Sequence, residues 1–403
     1  MSLKKGWLPR IGVVITLALV LVITGGVAVG GVFGSPKAVA AQSSFPTVDA
    51  SKLSQLAAPL AALHTSSQMQ NLARATQAQN LAKAQVKEPP MFTSSFTFNG
   101  QVFPFTMVGS DPALGSKTSH VKTILIPVST HFPDQNVTLF NKDDANKLID
   151  SPIFSRQHTV VGDKTQFTDA FQRNQFHNFV STTSPNYHVL LNQPDVRHTL
   201  KLDLPFNTSN EVADMIFNIS NTNIQVGIVD INFFVPWIEN QVLAMHLPTD
   251  TLPVFQFHDI YLNFGSIDPN NLQCCVLGFH DTFTPAARPD EVHTFIYESF
   301  ASAGVFQGVS DVSVMSHEAA EWVNDPFGNN ATPGWVNAGG GCQNNLETGD
   351  FLEGMPGASF TVDGFTFQDE TNLYWFARTP QPTPATAGNY NLLGTLTTPS
   401  TAC

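Results

Sequence analysis

Residues 313–329 read SVMSHEAAEWVNDPFGN, which places a histidine, three carboxylates and a tryptophan in one short segment closed by Asp-Pro. At about 100° per residue around a helix axis, Glu318, Glu321 and Asp325 fall within about 100° of His317. Apolar residues occupy the opposite arc: Val312, Met315, Ala319 and Val323. The stretch therefore predicts an amphipathic helix that packs one side against a core and directs an imidazole and carboxylates to the other.

This helix resembles the metal-binding helix of zinc hydrolases in its spacing. Two ligands at positions i and i+4 share one ion, and the glutamate after the first ligand activates the attacking water. His317 and Glu321 are the predicted zinc ligands, and Glu318 is the predicted general base. Glu321 stands where the HExxH motif has histidine. A carboxylate binds zinc, but its charge makes the metal a weaker Lewis acid.

The alternative interpretation is a solvent-exposed helix face with ordinary i,i+4 polar pairs, since the pattern fixes only three positions. The third ligand of the single predicted zinc ion also has alternatives. Glu347, about thirty residues downstream beyond a glycine-rich loop, is the first choice and Asp350 the second. Asp325 lies about 12 Å along the axis from His317 and is expected to brace the following turn instead.

Other residues have both a functional and a structural interpretation. His280, in Gly-Phe-His-Asp, is the predicted second catalytic residue, as a donor to a transition-state oxyanion. His258, His293, Trp322 and Trp335 could belong to a site or to the core. The chain has no Gly-x-Ser-x-Gly elbow, and its four cysteines are expected in disulfides, so no serine or cysteine nucleophile is predicted.

The composition limits the class of protein. The 403 residues are 42% hydrophobic and 13% charged, enough for one large core or two smaller ones. The net charge of −13 argues against nucleic-acid binding, which needs clustered lysine and arginine. Many of the 32 phenylalanines alternate with polar residues, as in strands with one buried face.

The N-terminus predicts export. Residues 1–40 combine a basic start, an apolar run at 11–33 and an Ala-x-Ala site, as in a signal peptide. The alternative is an uncleaved anchor, which would be the protein's only membrane contact. Residues 41–90 predict a helical pro-segment or stalk, and 91–403 the catalytic domain. The protein is thus expected to be secreted or anchored outside the cell.

The cysteines are Cys274, Cys275, Cys342 and Cys403. An oxidising compartment favours disulfides, and four cysteines permit three pairings. A bridge between the adjacent Cys274 and Cys275 is the least expected. We therefore expect one of these two to pair with Cys342 or Cys403.

The local patterns predict an α+β fold. A hairpin is predicted around Asn99-Gly100. Strands are predicted at 121–129, 224–235, 254–264, 274–283 and 291–300, and helices at 142–150 and 165–180. Strands followed by one key helix and a loop-rich tail are typical of α+β enzymes.

Several stretches also carry a family resemblance: SHEAAEWVNDPFGN (316–329), GCQNNLETGD (341–350), GFHDTF (278–283) and FQDETNLYWFAR (367–378). They resemble a family of bacterial secreted zincin-like peptidases with the pattern HExxE…DP…ExGD. More distantly, they are similar to the plant Exordium (phosphate-induced) extracellular proteins. The resemblance covers roughly 91–403. It implies a zincin-like mixed sheet with a metal-binding active-site helix, and metal positions at His317, Glu321 and the Glu347/Asp350 loop.

These observations predict a secreted zinc-dependent hydrolase, most specifically a peptidase acting on peptide or protein substrates, with Glu318 activating the water. Two alternatives remain. One is a non-catalytic extracellular or cell-wall binding protein that keeps a zincin-like fold, and the other is a hydrolase of another class with the same metal.

Overall fold

The computed structural model describes residues 45–61, 88–204, 207–337, 340–380, 388–400 and 403. The predicted signal peptide of residues 1–40 lies outside these ranges, as does most of the predicted pro-segment or stalk. The described ranges contain seven α-helices and many strands in mixed sheets, which confirms the α+β class.

The elements are named here in chain order. The strands are β1 (Thr47–Val48), β2 (Met91–Phe98), β3 (Gln101–Val108), β4 (Thr118–Phe132), β5 (Val137–Leu139), β6 (His188–Leu191), β7 (Asp195–Val196), β8 (Leu200–Asp203), β9 (Asp214–Ile219), β10 (Gln225–Asp230), β11 (Thr251–His258), β12 (Ile260–Asn263), β13 (Cys274–Val276), β14 (Gly278–Phe283), β15 (His293–Phe306), β16 (Val309–Asp311), β17 (Ala331–Val336), β18 (Cys342–Asn345), β19 (Ser359–Val362) and β20 (Phe365–Gln368). The helices are α1 (Ala50–Ala61), α2 (Asp144–Asp150), α3 (Phe167–Gln175), α4 (His177–Val180), α5 (Ile231–Ala244), α6 (Ser313–Asn324) and α7 (Leu373–Phe376).

A large mixed sheet is the centre of the fold. Its main path runs β14-β15-β11-β4-β5, with β4, β11 and β15 parallel and β14 antiparallel at one end. Strand β4 contains the apolar run 121–129 that predicts a buried central strand, and most of that run is buried. A second sheet has the order β1-β9-β10-β12-β13.

Helices cover both faces of the large sheet. Helix α5 packs on one face, where Phe234 and Ile238 join a core with Phe255 and Tyr297 of the strands. Helices α3 and α6 pack on the other face. Because α6 contributes apolar residues to this second core, the sheet fixes the position of the helix that carries the predicted site.

Several local predictions are confirmed. The hairpin β2–β3 turns at Asn99 and Gly100, whose φ values of 48° and 79° match the left-handed turn that Asn-Gly favours. The predicted helices at 142–150 and 165–180 correspond to α2 and to the pair α3 and α4.

The prediction of one strand over 224–235 is wrong at its second half. Strand β10 ends at Asp230 and helix α5 begins at Ile231. The Asp230 carboxylate caps the helix by accepting a hydrogen bond from the Asn232 N–H at 2.9 Å. A short apolar run does not distinguish a buried strand from a buried helix, so periodicity alone missed this boundary.

Two predicted strands are divided between the two sheets. The run 254–264 breaks at Asp259, whose φ of 51° turns the chain from β11 in the large sheet to β12 in the second sheet. The run 274–283 is likewise split into β13 and β14. The return at β14 brings His280 to the edge of the large sheet.

The expected disulfide pairing is wrong. The bridges are Cys274–Cys275 and Cys342–Cys403. Cys274 and Cys275 are buried on β13 of the second sheet, whereas Cys342 is on β18, which pairs with β17 in a separate two-stranded sheet. The cysteines that we expected to pair therefore belong to different sheets. Disulfides are compatible with an extracellular protein.

Residues 45–61, inside the predicted pro-segment or stalk, pack on the rest of the described chain. Strand β1 pairs with β9 in parallel, and Leu53 of α1 is buried in a core with Ile228 and Tyr261. None of the described helices has the length and hydropathy needed to cross a membrane.

The His258 side chain connects β11 to helix α2 by pairing with Asp144, and His258 is not one of the predicted zinc ligands. Its Nδ1 lies 2.7 Å from Asp144 Oδ2, and its Nε2 lies 3.5 Å from Asp259 Oδ2. Burial alone would lower the pKa of His258, but the hydrogen bond to Asp144 and the charges of Asp259 and Asp144 raise it, against a smaller opposing effect of Lys147.

This contact predicts a pH-dependent stability. Because the pKa of His258 is higher in the folded than in the unfolded protein, protonation of this residue stabilises the fold. The stabilisation is complete below the unfolded-state pKa near 6.5, and it is lost as the pH rises through the folded-state pKa. We expect His258→Gln to reduce the free energy of unfolding by about 1.5–3 kcal/mol at pH 5.5, and by less at pH 9. Urea unfolding at both pH values measures this. His131→Gln, which removes an exposed pair with Asp203, is the control; an equal loss at both pH values for His258→Gln would contradict the prediction.

Candidate metal centre

Helix α6 is buried on all sides. Its apolar arc, with Met315, Ala319 and Val323, packs in the core as predicted. The polar face is buried too, with His317, Glu318 and Glu321 each 9% exposed or less. This rules out the alternative of a solvent-exposed helix face, so these side chains require partners inside the protein.

Asp311 fixes the start of this helix from outside it. Helix α6 begins after Val312, and Asp311 belongs to β16. The Asp311 Oδ1 atom accepts hydrogen bonds from the N–H groups of Val312 at 2.6 Å and Thr366 at 2.8 Å. Asp311 therefore ties the start of the helix to β20.

The predicted ligand pair is brought together by the helix. His317 Nε2 and Glu321 Oε2 are 3.1 Å apart, one turn from each other. The other oxygen, Glu321 Oε1, accepts hydrogen bonds from the backbone N–H of Gly349 at 3.0 Å and of Asp350 at 3.3 Å. Glu321 is thus anchored by one oxygen to the downstream loop and presents the other to the imidazole.

The loop brings both candidate third ligands to this helix. Asp350 Oδ1 lies 3.6 Å from His317 Nε2, and its Oδ2 accepts a hydrogen bond from Gln343 Nε2 at 2.9 Å. Glu347 Oε1 accepts a hydrogen bond from Asn345 Nδ2 at 2.7 Å, and its Oε2 has no hydrogen-bond partner among the described residues. Gln343 and Asn345 are site residues that no sequence pattern predicted, although both stand in the stretch that carries the family resemblance.

His280 enters the same site from the sheet. Its Nδ1 lies 3.6 Å from Glu318 Oε2 and 3.8 Å from Glu321 Oε2. Its Nε2 lies 3.1 Å from the Asp325 carbonyl oxygen and 4.0 Å from Glu347 Oε2. Both ring nitrogens face oxygen atoms of the protein, an arrangement that does not favour the predicted donation to a substrate oxyanion.

Two groups of side chains have the spacing of metal ligands. One is His317, Glu321 and Asp350; the other is His280, Glu321 and Glu347. Within each group the potential ligand atoms lie within 4.8 Å of one another. The grouping places Asp350, not the first choice Glu347, with His317.

The side chains of both groups line one cavity of about 60 Å³ with Glu318, Glu353 and Gln368. Two glycines make room for it. A Cβ on Gly278 would lie 2.9 Å from Glu318 Cγ, and a Cβ on Gly349 would lie 2.5 Å from His317 Nδ1. Neither position can carry a larger residue without displacing a site side chain.

Gly349 therefore offers a direct test of the geometry. We expect Gly349→Ala to displace the His317 ring and to weaken zinc binding about 10–100-fold, as changes around metal ligands do. Zinc titration of the metal-free protein measures this. Gly341→Ala, where the Cβ would meet the end of the Asn337 side chain at 3.0 Å, is the control. Unchanged zinc affinity in Gly349→Ala would show that the ring is not a ligand.

The electrostatics of the cavity are dominated by carboxylates. Burial, followed by the charge of Glu321, raises the pKa of Glu347 and of Asp350 well above their usual values. Burial alone would also raise the pKa of Glu321, but the charge and hydrogen bond of His317 lower it to about 2. No lysine or arginine in the described part of the chain forms an ion pair with these groups, so a bound cation would offset their charge.

The remaining candidates are structural. The Asp325 carboxylate accepts hydrogen bonds from the Asn329 N–H at 2.8 Å and the Asn330 N–H at 3.0 Å, which confirms that it braces the turn after α6. Trp322 and Trp335 are fully buried in the core. His293 pairs with Glu291 at 3.3 Å, away from the cavity.

Comparisons of the chain with models of protein families, with characterised proteins and with solved structures give no match. The chemistry of the site therefore has to be inferred from its own geometry.

Proposed function

We propose that the protein is an exported zinc-dependent hydrolase that cleaves peptide bonds. The observation that carries this proposal is the buried set of His317, Glu321 and Asp350, from a helix and a loop, whose ligand atoms lie within 4.8 Å of one another. One imidazole and two carboxylates form a donor set that zinc accepts, in the pattern of catalytic sites with three protein ligands.

The residues around the cavity fit a cation. Glu347 Oε2 is a buried carboxylate oxygen without a hydrogen-bond partner among the described residues, and such an oxygen is costly to bury unless it is paired. When bound, a divalent ion would supply Lewis acidity to polarise a carbonyl and favour the deprotonation of water. The second oxygen of each carboxylate ligand is already held, for Glu321 by the backbone N–H of Gly349 and for Asp350 by Gln343 Nε2.

Glu318 is the proposed general base. It precedes Glu321 on the same face of α6 and lines the same cavity, with its Oε2 3.6 Å from His280 Nδ1. A carboxylate at this position can accept a proton from a water molecule in the cavity and later give it to the leaving amine. Gly278 leaves the space that the Glu318 side chain occupies.

Strand β14 supports a peptide as the substrate. It is the last strand on its side of the large sheet, with no further strand paired outside it in the described ranges. Its first residues, Gly278, Phe279 and His280, border the cavity. An extended peptide can add to an exposed sheet edge through main-chain hydrogen bonds, which would place a peptide bond beside the proposed base.

The proposal is tested with purified full-length protein and a mixture of unstructured peptides. We expect cleavage by the zinc-loaded protein, loss of cleavage after chelation and recovery with added zinc, followed by mass spectrometry of the products. Bound zinc without any cleavage would favour the alternative of a non-catalytic extracellular or cell-wall binding protein. The extra negative charge of Glu321 at a position where zincins have histidine is the observation that favours this alternative.

A further inference from the structure

We infer that the cavity binds two divalent cations that share the carboxylate of Glu321. The first ion lies with His317 and Asp350, and the second lies with His280 and Glu347. This inference rests on the proposed function, whose zinc ion is the first of the two. It assigns to His280 a role as a ligand of the second ion.

A single oxygen of Glu321 faces both imidazoles. Its Oε2 lies 3.1 Å from His317 Nε2 and 3.8 Å from His280 Nδ1. Its Oε1 is held on the loop by the N–H groups of Gly349 and Asp350. Because the two histidines approach Oε2 from different elements, the helix and the edge strand, this oxygen is the natural bridge between two ions.

The hydrogen bonding of His280 points to a ligand at its Nδ1. The Asp325 carbonyl oxygen can only accept, so the contact at 3.1 Å assigns the ring proton to Nε2. The Nδ1 lone pair then faces Oε2 of Glu321 at 3.8 Å. This distance is too long for a hydrogen bond, but it suits two atoms that each lie about 2.0–2.2 Å from one shared ion. Metal-binding histidines commonly donate their other N–H to such a carbonyl.

Glu347 supplies an independent observation. The residue is 7% exposed, and its Oε2 has no hydrogen-bond partner in the described part of the chain. This oxygen lies 4.0 Å from His280 Nε2 and belongs to the group whose potential ligand atoms lie within 4.8 Å of one another. A buried carboxylate oxygen that accepts no hydrogen bond is explained by a cation bound beside it.

The charge of the cavity also fits two ions. Five carboxylates line it with the two histidines: Glu318, Glu321, Glu347, Asp350 and Glu353. One divalent cation would offset at most two negative charges of this set, whereas two cations would offset up to four. Paired ions about 3.5–4 Å apart are a recurring arrangement in hydrolases, including aminopeptidases, where both ions act on the reacting oxygens.

The stoichiometry of Zn²⁺ binding tests the inference. Metal-free full-length protein is titrated with Zn²⁺ in a calorimeter, and the metal content is measured after desalting. We expect two equivalents for the wild type, and one equivalent each for His280→Ala and His317→Ala. His258→Ala, which removes a histidine outside the cavity, should keep two. Far-ultraviolet circular dichroism reports whether each variant is folded.

A second measurement needs no variant. With two equivalents of Co²⁺, a shared carboxylate oxygen should couple the two ions magnetically, and their electron paramagnetic resonance signal should be weaker than that of two isolated ions. One equivalent of Zn²⁺ in the wild type, or two uncoupled Co²⁺ ions, overturns the inference and leaves the proposed function intact. No bound Zn²⁺ at all overturns both.

Discussion

Glu318→Gln is expected to lower kcat for peptide cleavage by about 10²–10⁴-fold, the usual contribution of a general base. The amide keeps the size of the side chain and its place in the space left by Gly278, but it cannot accept a proton. Glu318 belongs to neither group of potential metal ligands, so the zinc content of the variant should equal that of the wild type. Activity assays and elemental analysis of the same preparations measure both quantities.

The matched control is Glu211→Gln, the same chemical change in the loop before β9, which should leave kcat unchanged. A Glu318→Gln variant with full zinc content and wild-type cleavage would remove Glu318 from the mechanism. Loss of zinc together with activity would instead make it a ligand.

Removal of the metal is expected to destabilise the fold strongly. Without cations, the buried carboxylates of the cavity repel one another or must take up protons. A ligand present at 1,000 times its Kd stabilises the native state by about 4 kcal/mol. For a chain of this size, that loss corresponds to a decrease in Tm of about 5 °C. Differential scanning fluorimetry with and without a chelator measures it.

Glu321→Gln provides the control for this effect. It removes the carboxylate that both ligand groups contain, so its Tm should change little on addition of the chelator. If the chelator leaves the Tm of the wild type unchanged at saturating zinc, the cavity does not bind a metal in the native state.

The helix of the site was predictable, but its surroundings were not. The alternation of apolar and polar residues in α6 predicts which arc carries His317 and Glu321, because periodicity of 3.6 residues is a local property. Whether the polar arc faces solvent depends on the loop that contains Glu347 and Asp350, which packs over it from a distant part of the sequence. Burial of a polar face therefore required the structure.

Local sequence patterns also could not predict which potential ligands lie together in the folded protein. The sequence predicts that His280 lies on a strand, but its approach to Glu347 results from the split of 274–283 between two sheets. The same limitation explains the wrong disulfide pairing, since sequence spacing does not show which cysteines lie on the same element. The spacing of His317 and Glu321, by contrast, needed only helical geometry.

The hydrogen bonds from Gly349 and Asp350 to Glu321 connect the helix to the loop without any ion. Their donors are backbone groups, so they form whatever side chains occupy the loop. The metal site is consequently preformed, and zinc binding should not require a slow folding step. We therefore expect the rate of zinc binding to rise linearly with zinc concentration, without the plateau that a preceding conformational rearrangement would impose.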